Sequence, residues 1–354
     1  MSLNRPVHGG NVVWAASVAG CSPDRLLDFS ASINPLGPPQ SAIAAITTHL
    51  NRITLYPDPR YSELRKHLGR FHQLPPEVIW PGNGAAELLT WIARQLRKCQ
   101  SVYVLTPAFR DYARALQAFG VPIQPYALDL LDLSKLASPL PLSPNPGSGL
   151  LLNNPHNPTG KLWRREEILP ILDRFEFVVI DEAFMDFLDP SEDQSLIPLI
   201  QDYPHLVIVR SLTKFYSLPG LRLGYAIADP ALIEQWQHWR DPWPVNILAE
   251  VAGIAAIQDD DFQRQTWDWL PPTRHHLLEG LRSLSGFDPY PGAANFLLVK
   301  TQQSVTELQE WLLKEYQILI RDCVSFPELG DRYFRVAVRS QAENQRLLDA
   351  LGDR

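Results

Sequence analysis

The sequence has little cysteine: Cys21, Cys99 and Cys323 are its only three in 354 residues, and no CxxC pair occurs. That scatter excludes a disulfide framework or a zinc-ribbon spacing, so free thiols in a reducing compartment and no metal site are expected. Long apolar runs are missing as well. No stretch approaches the length needed to span a bilayer, and Met1-Ser2-Leu3-Asn4-Arg5-Pro6 lacks the apolar core of a secretory signal. A cytoplasmic protein that does not meet the membrane is expected. An excess of positive charge is also absent. The chain carries 32 Lys and Arg against 39 Asp and Glu, a net charge of −7, whereas a nucleic-acid footprint would be basic. No internal repeat and no long low-complexity tract is visible.

What is present begins with an ordinary globular composition, 45% hydrophobic, in a chain long enough for two domains. Proline is abundant, with 32 copies. Its clusters at 139–146 and Pro271-Pro272 read as loop punctuation, and the second pair as a crossing between domains. Apolar, β-branched runs at 102–105, 150–152, 177–180 and 206–209 read as buried strands. The last three recur about every 30 residues, the length of a βαβ unit. Between them lie helical patterns, such as Leu88, Leu89, Ile92, Ala93 and Leu96 after the Gly82-Asn83-Gly84 turn. A mostly parallel sheet covered on both faces by helices follows. Beyond it a strand (295–299), a helix (305–316), two strands (317–321, 333–338) and a helix (341–351) form a small α+β unit. Residues 1–45 have no core of their own and are expected to join it. The expected division is 46–270 as the large domain and 1–45 with 271–354 as the small one.

Chemistry collects where the strands end. Leu206–Val209 runs into Arg210-Ser211-Leu212-Thr213-Lys214, with Arg222 eight residues after the lysine. A partly deprotonated lysine forms a Schiff base with an aldehyde, and hydroxyls with an arginine hold a phosphate dianion. Pyridoxal 5′-phosphate (PLP) offers both groups. Asp181 ends another apolar strand. A buried carboxylate there needs a partner, and a pyridine nitrogen is a fitting one, because the carboxylate keeps it protonated. Asn157 can donate to the phenolic oxygen of the ring, and Phe109 can stack on its face. The amides near Ala85 and Ala86, at the start of a helix, can join Ser211, Thr213 and Arg222 around the phosphate. Each residue alone has a plain structural role open to it: Asp181 as a helix cap, Phe109 as core, Asn157 as a turn residue. Their shared location at successive strand ends, where open α/β sheets bind ligands, favours a site.

These segments resemble the fold type I PLP enzymes, the aminotransferase-like superfamily. Within it they resemble the branch that holds histidinol-phosphate aminotransferases and threonine-phosphate decarboxylases. The resemblance covers nearly the whole chain. It is carried by His8-Gly9-Gly10-Asn11, by Leu27–Ala31 with Ile33–Gly37, by Asp181-Glu182-Ala183-Phe184, by Ser211–Phe215 with Pro219–Tyr225, and by Tyr333–Ser340, and it is closer to the decarboxylases. The resemblance implies that Lys214 is the Schiff-base lysine, Asp181 the partner of the ring nitrogen and Asn157 a ligand of the ring oxygen that also lies near the substrate. It implies that Arg321 and Arg335 hold anionic groups of the substrate and that His8 and Gly9 close over it. It further implies a homodimer in which Tyr56 reaches the PLP phosphate of the neighbouring subunit. Two departures stand out. Ser32 replaces the asparagine of the decarboxylase pattern, so a shorter donor would meet the substrate. Phe184 stands where the aminotransferases usually carry tyrosine, which favours decarboxylation. The implied reaction is loss of CO₂ from L-threonine O-3-phosphate, giving (R)-1-aminopropan-2-yl phosphate for cobalamin (corrinoid) biosynthesis. An aminotransferase acting on histidinol phosphate or a related phosphorylated amine is the alternative. A non-catalytic PLP-binding effector domain is a further one, disfavoured because no basic DNA-binding segment is available.

Overall fold

Residues 5–130 and 144–354 are described by the computed structural model. Residues 1–4 of the signal-poor N-terminus and 139–143 of the first proline cluster lie outside the described residues. Strand β1 (Leu27–Asp28) is followed by an irregular segment rich in proline, as expected where proline disfavours helix in the residue before it. Next come β2 (Ile79–Gly82), β3 (Val102–Thr106), β4 (Ile123–Ala127), β5 (Gly149–Asn153), β6 (Phe177–Asp181), β7 (Leu206–Ser211) and β8 (Gly224–Ile227). They form one sheet in the order β2-β8-β7-β6-β5-β3-β4. The pairs from β4 to β7 are parallel, and β8 runs antiparallel to both β7 and β2.

Strands β4 and β8 are not visible as periodic runs. The first carries Pro125 and is largely solvent-facing, at home on a sheet edge. The second is only four residues long, too short to show a period, yet it is wholly buried between two partners.

Alternation along the strands divides the interior in two. Leu150, Leu152, Val178, Ile180, Leu206 and Ile208 belong to one core. Leu151, Phe177, Val179, Val207 and Val209 belong to another, packed against helices Ala85–Leu96 and Arg110–Ala118. Successive side chains of a strand point to opposite faces, so a parallel sheet buried on both sides must build two cores.

The remaining strands are β9 (Phe287–Pro289), β10 (Phe296–Thr301), β11 (Ile318–Leu319), β12 (Arg321–Asp322) and β13 (Tyr333–Ala337). Four of them form an antiparallel sheet in the order β12-β13-β10-β9, while β1 pairs in parallel with β11. The Ala337 N–H also donates to the Phe29 carbonyl at 2.8 Å. The beginning of the chain is thus fastened to its end.

Pro271-Pro272 does not interrupt the chain. Helix Asp260–Ser283 runs straight through the pair for 24 residues. Two features permit this. Both prolines are exposed, so the carbonyls one turn earlier that lose a donor face the solvent side. The buried stripe Phe262, Thr266, Leu270, Thr273, Leu277, Leu281 continues past them without a break.

Candidate active site

The alternation that builds two cores also aims the strand ends. Asn153, Asp181 and Ser211 fall on the same face of β5, β6 and β7, and Asn153 and Asp181 are paired in register. They open into a cavity of about 240 Å³ that is also lined by His8, Gly9, Ala85, Ala86, Phe109, Asn157, Thr213, Lys214, Arg222, Arg321 and Arg335. Asn153 apart, these are the residues singled out in the sequence, with two exceptions.

Lys214 lies just past β7, and its carbonyl accepts from the Asn34 N–H at 3.1 Å. Burial pushes its amine down to about 8, helped by the charges of Arg335 and Arg222 and opposed by Asp181. A lysine so placed is a competent nucleophile near neutrality. Burial pushes the Asp181 carboxyl upward. Hydrogen bonds oppose that rise: the Tyr112 hydroxyl donates at 2.6 Å and the Ala183 N–H at 3.0 Å, and the Lys214 charge also favours the carboxylate.

An anion cradle lies beside the lysine. The Ser211 and Thr213 hydroxyls are 2.7 Å apart, and helix Ala85–Leu96 begins there with first-turn N–H groups that no helical carbonyl can satisfy. Gly84 makes the close approach possible. Its φ is +76°, and a Cβ would come within 2.5 Å of Arg222 Nη2. Gly224 is equally constrained, since its Cβ would meet the Ala85 nitrogen at 2.7 Å.

On the other side of the cavity Arg321 and Arg335 face each other across β12 and β13. Arg335 Nη1 donates to Asn157 Oδ1 and Nη2 to the Ser30 carbonyl at 3.2 Å, its Nε has no protein partner, and its guanidinium lies 4.9 Å from the Phe296 ring centroid. Burial lowers its pKa to about 10, with Cys323 opposing and Arg321 adding to the fall. Arg321 donates to the Val7 carbonyl and to Ser325 Oγ, and stands 3.7 Å from Asp322. His8 lies against Phe109, with ring centroids 5.8 Å apart, and burial and the Arg321 charge push its pKa down.

The two exceptions are Tyr56 and Ser32. Tyr56 is 78% exposed and rests on Trp243 away from the cavity. Ser32 is 1% exposed and does not line the cavity, and its hydroxyl has no partner. The resemblance implies that Ser32 meets the substrate, whereas here it lies behind the cavity lining. The backbone turns between Ala31 and Ile33, whose N–H returns to the Ala31 carbonyl at 2.9 Å, so Ser30 and Ala31 reach the cavity and Ser32 faces inward. The engagement of Asn157 is compatible with donation to the ring oxygen. Its side-chain oxygen is taken by Arg335, which leaves the amide NH₂ for a ligand.

Tyr112, Ser30 and Asn153 escaped the sequence reading. Tyr112 follows Phe109 by one helical turn, and that spacing was the available signal. Ser30 sits inside the recognised Asp28–Ala31 segment but carries no signal of its own. Below the cavity Arg210 and Glu182, on the opposite strand face from Ser211 and Asp181, form a buried ion pair at 3.0 Å that Asp186 completes. This ties the ends of β6 and β7 together directly under the site.

The residues present fit PLP. Asp181 is a buried carboxylate with two hydrogen-bond donors and room for a cationic ring nitrogen. At Gly84 the missing Cβ lets the Arg222 guanidinium lie against the start of helix Ala85–Leu96, beside the Ser211 and Thr213 hydroxyls, a donor set that suits a phosphate. Lys214 lies between them.

The family model described as aminotransferase class I and II matches residues 24–351, and the chain belongs to that family. Among its relatives is the threonine-phosphate decarboxylase of Salmonella typhimurium, 42% identical over 99% of this chain and 97% of that protein. The adenosylcobalamin biosynthesis bifunctional protein CobDQ of Leptospira interrogans is 30% identical over 99% of this chain, which spans 41% of that longer protein. The crystal structure of the histidinol-phosphate aminotransferase from Clostridium acetobutylicum superimposes with a TM-score of 0.83 at 29% identity, covering 93% of this chain and 98% of that one.

Proposed function

We propose that this chain is a PLP-dependent carboxy-lyase that converts L-threonine O-3-phosphate to (R)-1-aminopropan-2-yl phosphate, a building block of cobalamin and related corrinoids. The observation that carries this reading is the paired Arg321 and Arg335 on the cavity wall, two guanidiniums suited to a substrate with two anionic groups. The decarboxylase and cobalamin relatives support it.

When bound, PLP supplies an electron sink for the pair released from the substrate Cα. Lys214 would hold its aldehyde carbon, Asp181 its protonated ring nitrogen, and Phe109 a ring face. Ser211, Thr213, Arg222 and the amides of Ala85 and Ala86 would take its phosphate, and the Asn157 NH₂ its phenolic oxygen. The chain's own residues do the rest. Arg335 and Arg321 anchor the two substrate anions at fixed points, which orients the bonds at Cα. His8 and Gly9 cover the cavity and limit water. Lys214 Nζ, with its lowered pKa, is placed to deliver a proton to Cα as CO₂ departs.

In the same reading residues 46–270 hold the cofactor, and 1–45 with 271–354 close over it. The chain works as a cytoplasmic homodimer. Leu50, Ile53, Leu55 and Tyr56 are 53–78% exposed within one short stretch, and Tyr56 packs on the exposed Trp243; these exposed apolar side chains support association. No helix among the described residues is long and apolar enough to cross a membrane.

The deciding assay supplies L-threonine O-3-phosphate without any keto acid and measures CO₂ and aminopropanol phosphate over many turnovers. Histidinol phosphate with 2-oxoglutarate is the companion reaction, and glutamate formed without CO₂ in the first assay would assign the enzyme to the aminotransferases.

A further inference from the structure

The segment that carries His8 is held at both ends. Arg5 donates to Asp322 at 3.2 Å and to Glu310 at 3.3 Å. At the other end the Gly10 N–H donates to Ser30 Oγ at 2.7 Å. His8 and Gly9 form the exposed stretch between these anchors and line the cavity.

Ser30 is the junction of three parts of the site. Its hydroxyl accepts from Gly10 and donates to Asp28 Oδ1 at 2.6 Å, which fixes its rotamer, and its own N–H donates to the same oxygen at 2.7 Å. Its carbonyl accepts from Arg335 Nη2 at 3.2 Å. The contact with the arm is close enough to dictate a residue: a Cβ at Gly9 would lie 2.3 Å from the Ser30 carbonyl oxygen. Ser30 itself is 1% exposed, and its bond to Arg335 is buried.

We infer that Ser30 is a positioning residue for substrate binding, one that holds the His8–Gly9 loop and the Arg335 guanidinium in a single register. This rests on the reading that Arg335 and His8 face the substrate's anionic groups. The hydroxyl sets where the arm lies, and the carbonyl of the same residue sets where the guanidinium points. An arm released from Ser30 leaves the cavity open on the side where Arg335 binds. The hydrogen bonds of Ser30 go to Gly10, Asp28 and Arg335, none of them assigned to the cofactor, so its effect falls chiefly on substrate.

The test uses the PLP-loaded enzyme and three variants. Ser30→Ala removes the Gly10 acceptor and keeps the packing. Gly9→Ala pushes the arm off the Ser30 carbonyl from an exposed position where folding is not at risk. Both should speed amide hydrogen exchange in a peptide spanning residues 5–11 while other segments exchange as before. Both should raise KM for L-threonine O-3-phosphate by about five- to tenfold, the worth of roughly one hydrogen bond, a larger change than in kcat, with the cofactor absorbance unaltered. Unchanged arm exchange and unchanged KM in both folded variants would overturn the assignment. Arg335→Ala separates the two ideas. If it raises KM strongly while the Ser30 and Gly9 variants do not, only the role of Ser30 fails. If it leaves KM untouched, the functional reading beneath it fails.

Discussion

Arg321 and Arg335 stand directly opposite each other on adjacent antiparallel strands, and both are buried. Like charges in facing positions oppose one another. Asp322 lies near Arg321, but among the described residues the hydrogen bonds of Arg335 go to a side-chain amide oxygen and a backbone carbonyl and to no carboxylate. A fold tolerates such a pair when an anion completes it. Replacing Arg335 by methionine should therefore raise the thermal stability of the ligand-free protein, by roughly 1 kcal/mol, the upper range for a facing pair. It should also abolish the rise in melting temperature that L-threonine O-3-phosphate gives the parent. Scanning fluorimetry reads both effects, and a variant that is no more stable yet still responds to the ligand would contradict the argument.

Lys214 should titrate far below an ordinary lysine. In the cofactor-free protein its amine is held near 8 against the usual 10.5, by burial first and then by Arg335 and Arg222. A lysine with a lowered folded pKa binds fewer protons than the unfolded chain between those values. Stability should therefore rise with pH across that window and be flat below it. Amine labelling of Lys214 as a function of pH, followed by peptide mapping, should show a midpoint near 8. Asp181→Asn should move it lower still, because Asp181 favours the ammonium form. A midpoint at the ordinary value would exclude this environment.

Tyr112 is expected to tune Asp181. Its hydroxyl donates at 2.6 Å to a carboxylate that burial pushes toward protonation. Tyr112→Phe keeps the ring and removes the donor, so the carboxyl rises further and fewer molecules offer a charged partner to the ring nitrogen. Loss of about 1 kcal/mol, the net worth of one hydrogen bond, predicts roughly fivefold faster or weaker retention of PLP. Equilibrium dialysis measures it, and unchanged retention would remove Tyr112 from the site.

The ion-pair network beneath the cavity should be costly to break. Arg210 lies between Glu182 and Asp186, and Ser195 Oγ and the Leu196 N–H complete Glu182. Arg210→Met leaves two carboxylates buried without their cation. The expected loss is about 3–5 kcal/mol, the cost of removing one partner from a buried pair. Denaturant unfolding at neutral pH measures it. A loss below 1 kcal/mol would show that water reaches the network.

Tyr56 offers a test of assembly. It is exposed in the single chain and remote from the cavity, so any effect on the cofactor must act between subunits. Tyr56→Phe should weaken PLP retention without lowering the subunit's stability. Sedimentation of the parent should show a dimer at working concentration, and a fully active monomer would end the shared-site proposal.

What the sequence by itself determined was the chemistry at the strand ends. Lys214, Asp181 and Arg222 were legible because each is a polar residue at or beyond the end of an apolar run. An apolar run of four or five residues between helices has few structures open to it. The spacing around Lys214 carried the family resemblance as well. What only the tertiary structure decided was which side chains meet across long separations. Arg321 faces Arg335 because two short strands pair in one register, and a slip of one residue between them would put the two guanidiniums on opposite faces. Ser30 rather than Ser32 reaches the cavity because the chain turns at Ala31. Tyr112 meets Asp181 because a helix packs on the sheet face to which β6 happens to aim its last residue. Pro271-Pro272 stays helical because the buried stripe on the far side of the helix outweighs two lost hydrogen bonds that face water. Local patterns carry period and polarity, whereas register and facing are settled by the packing of the whole chain.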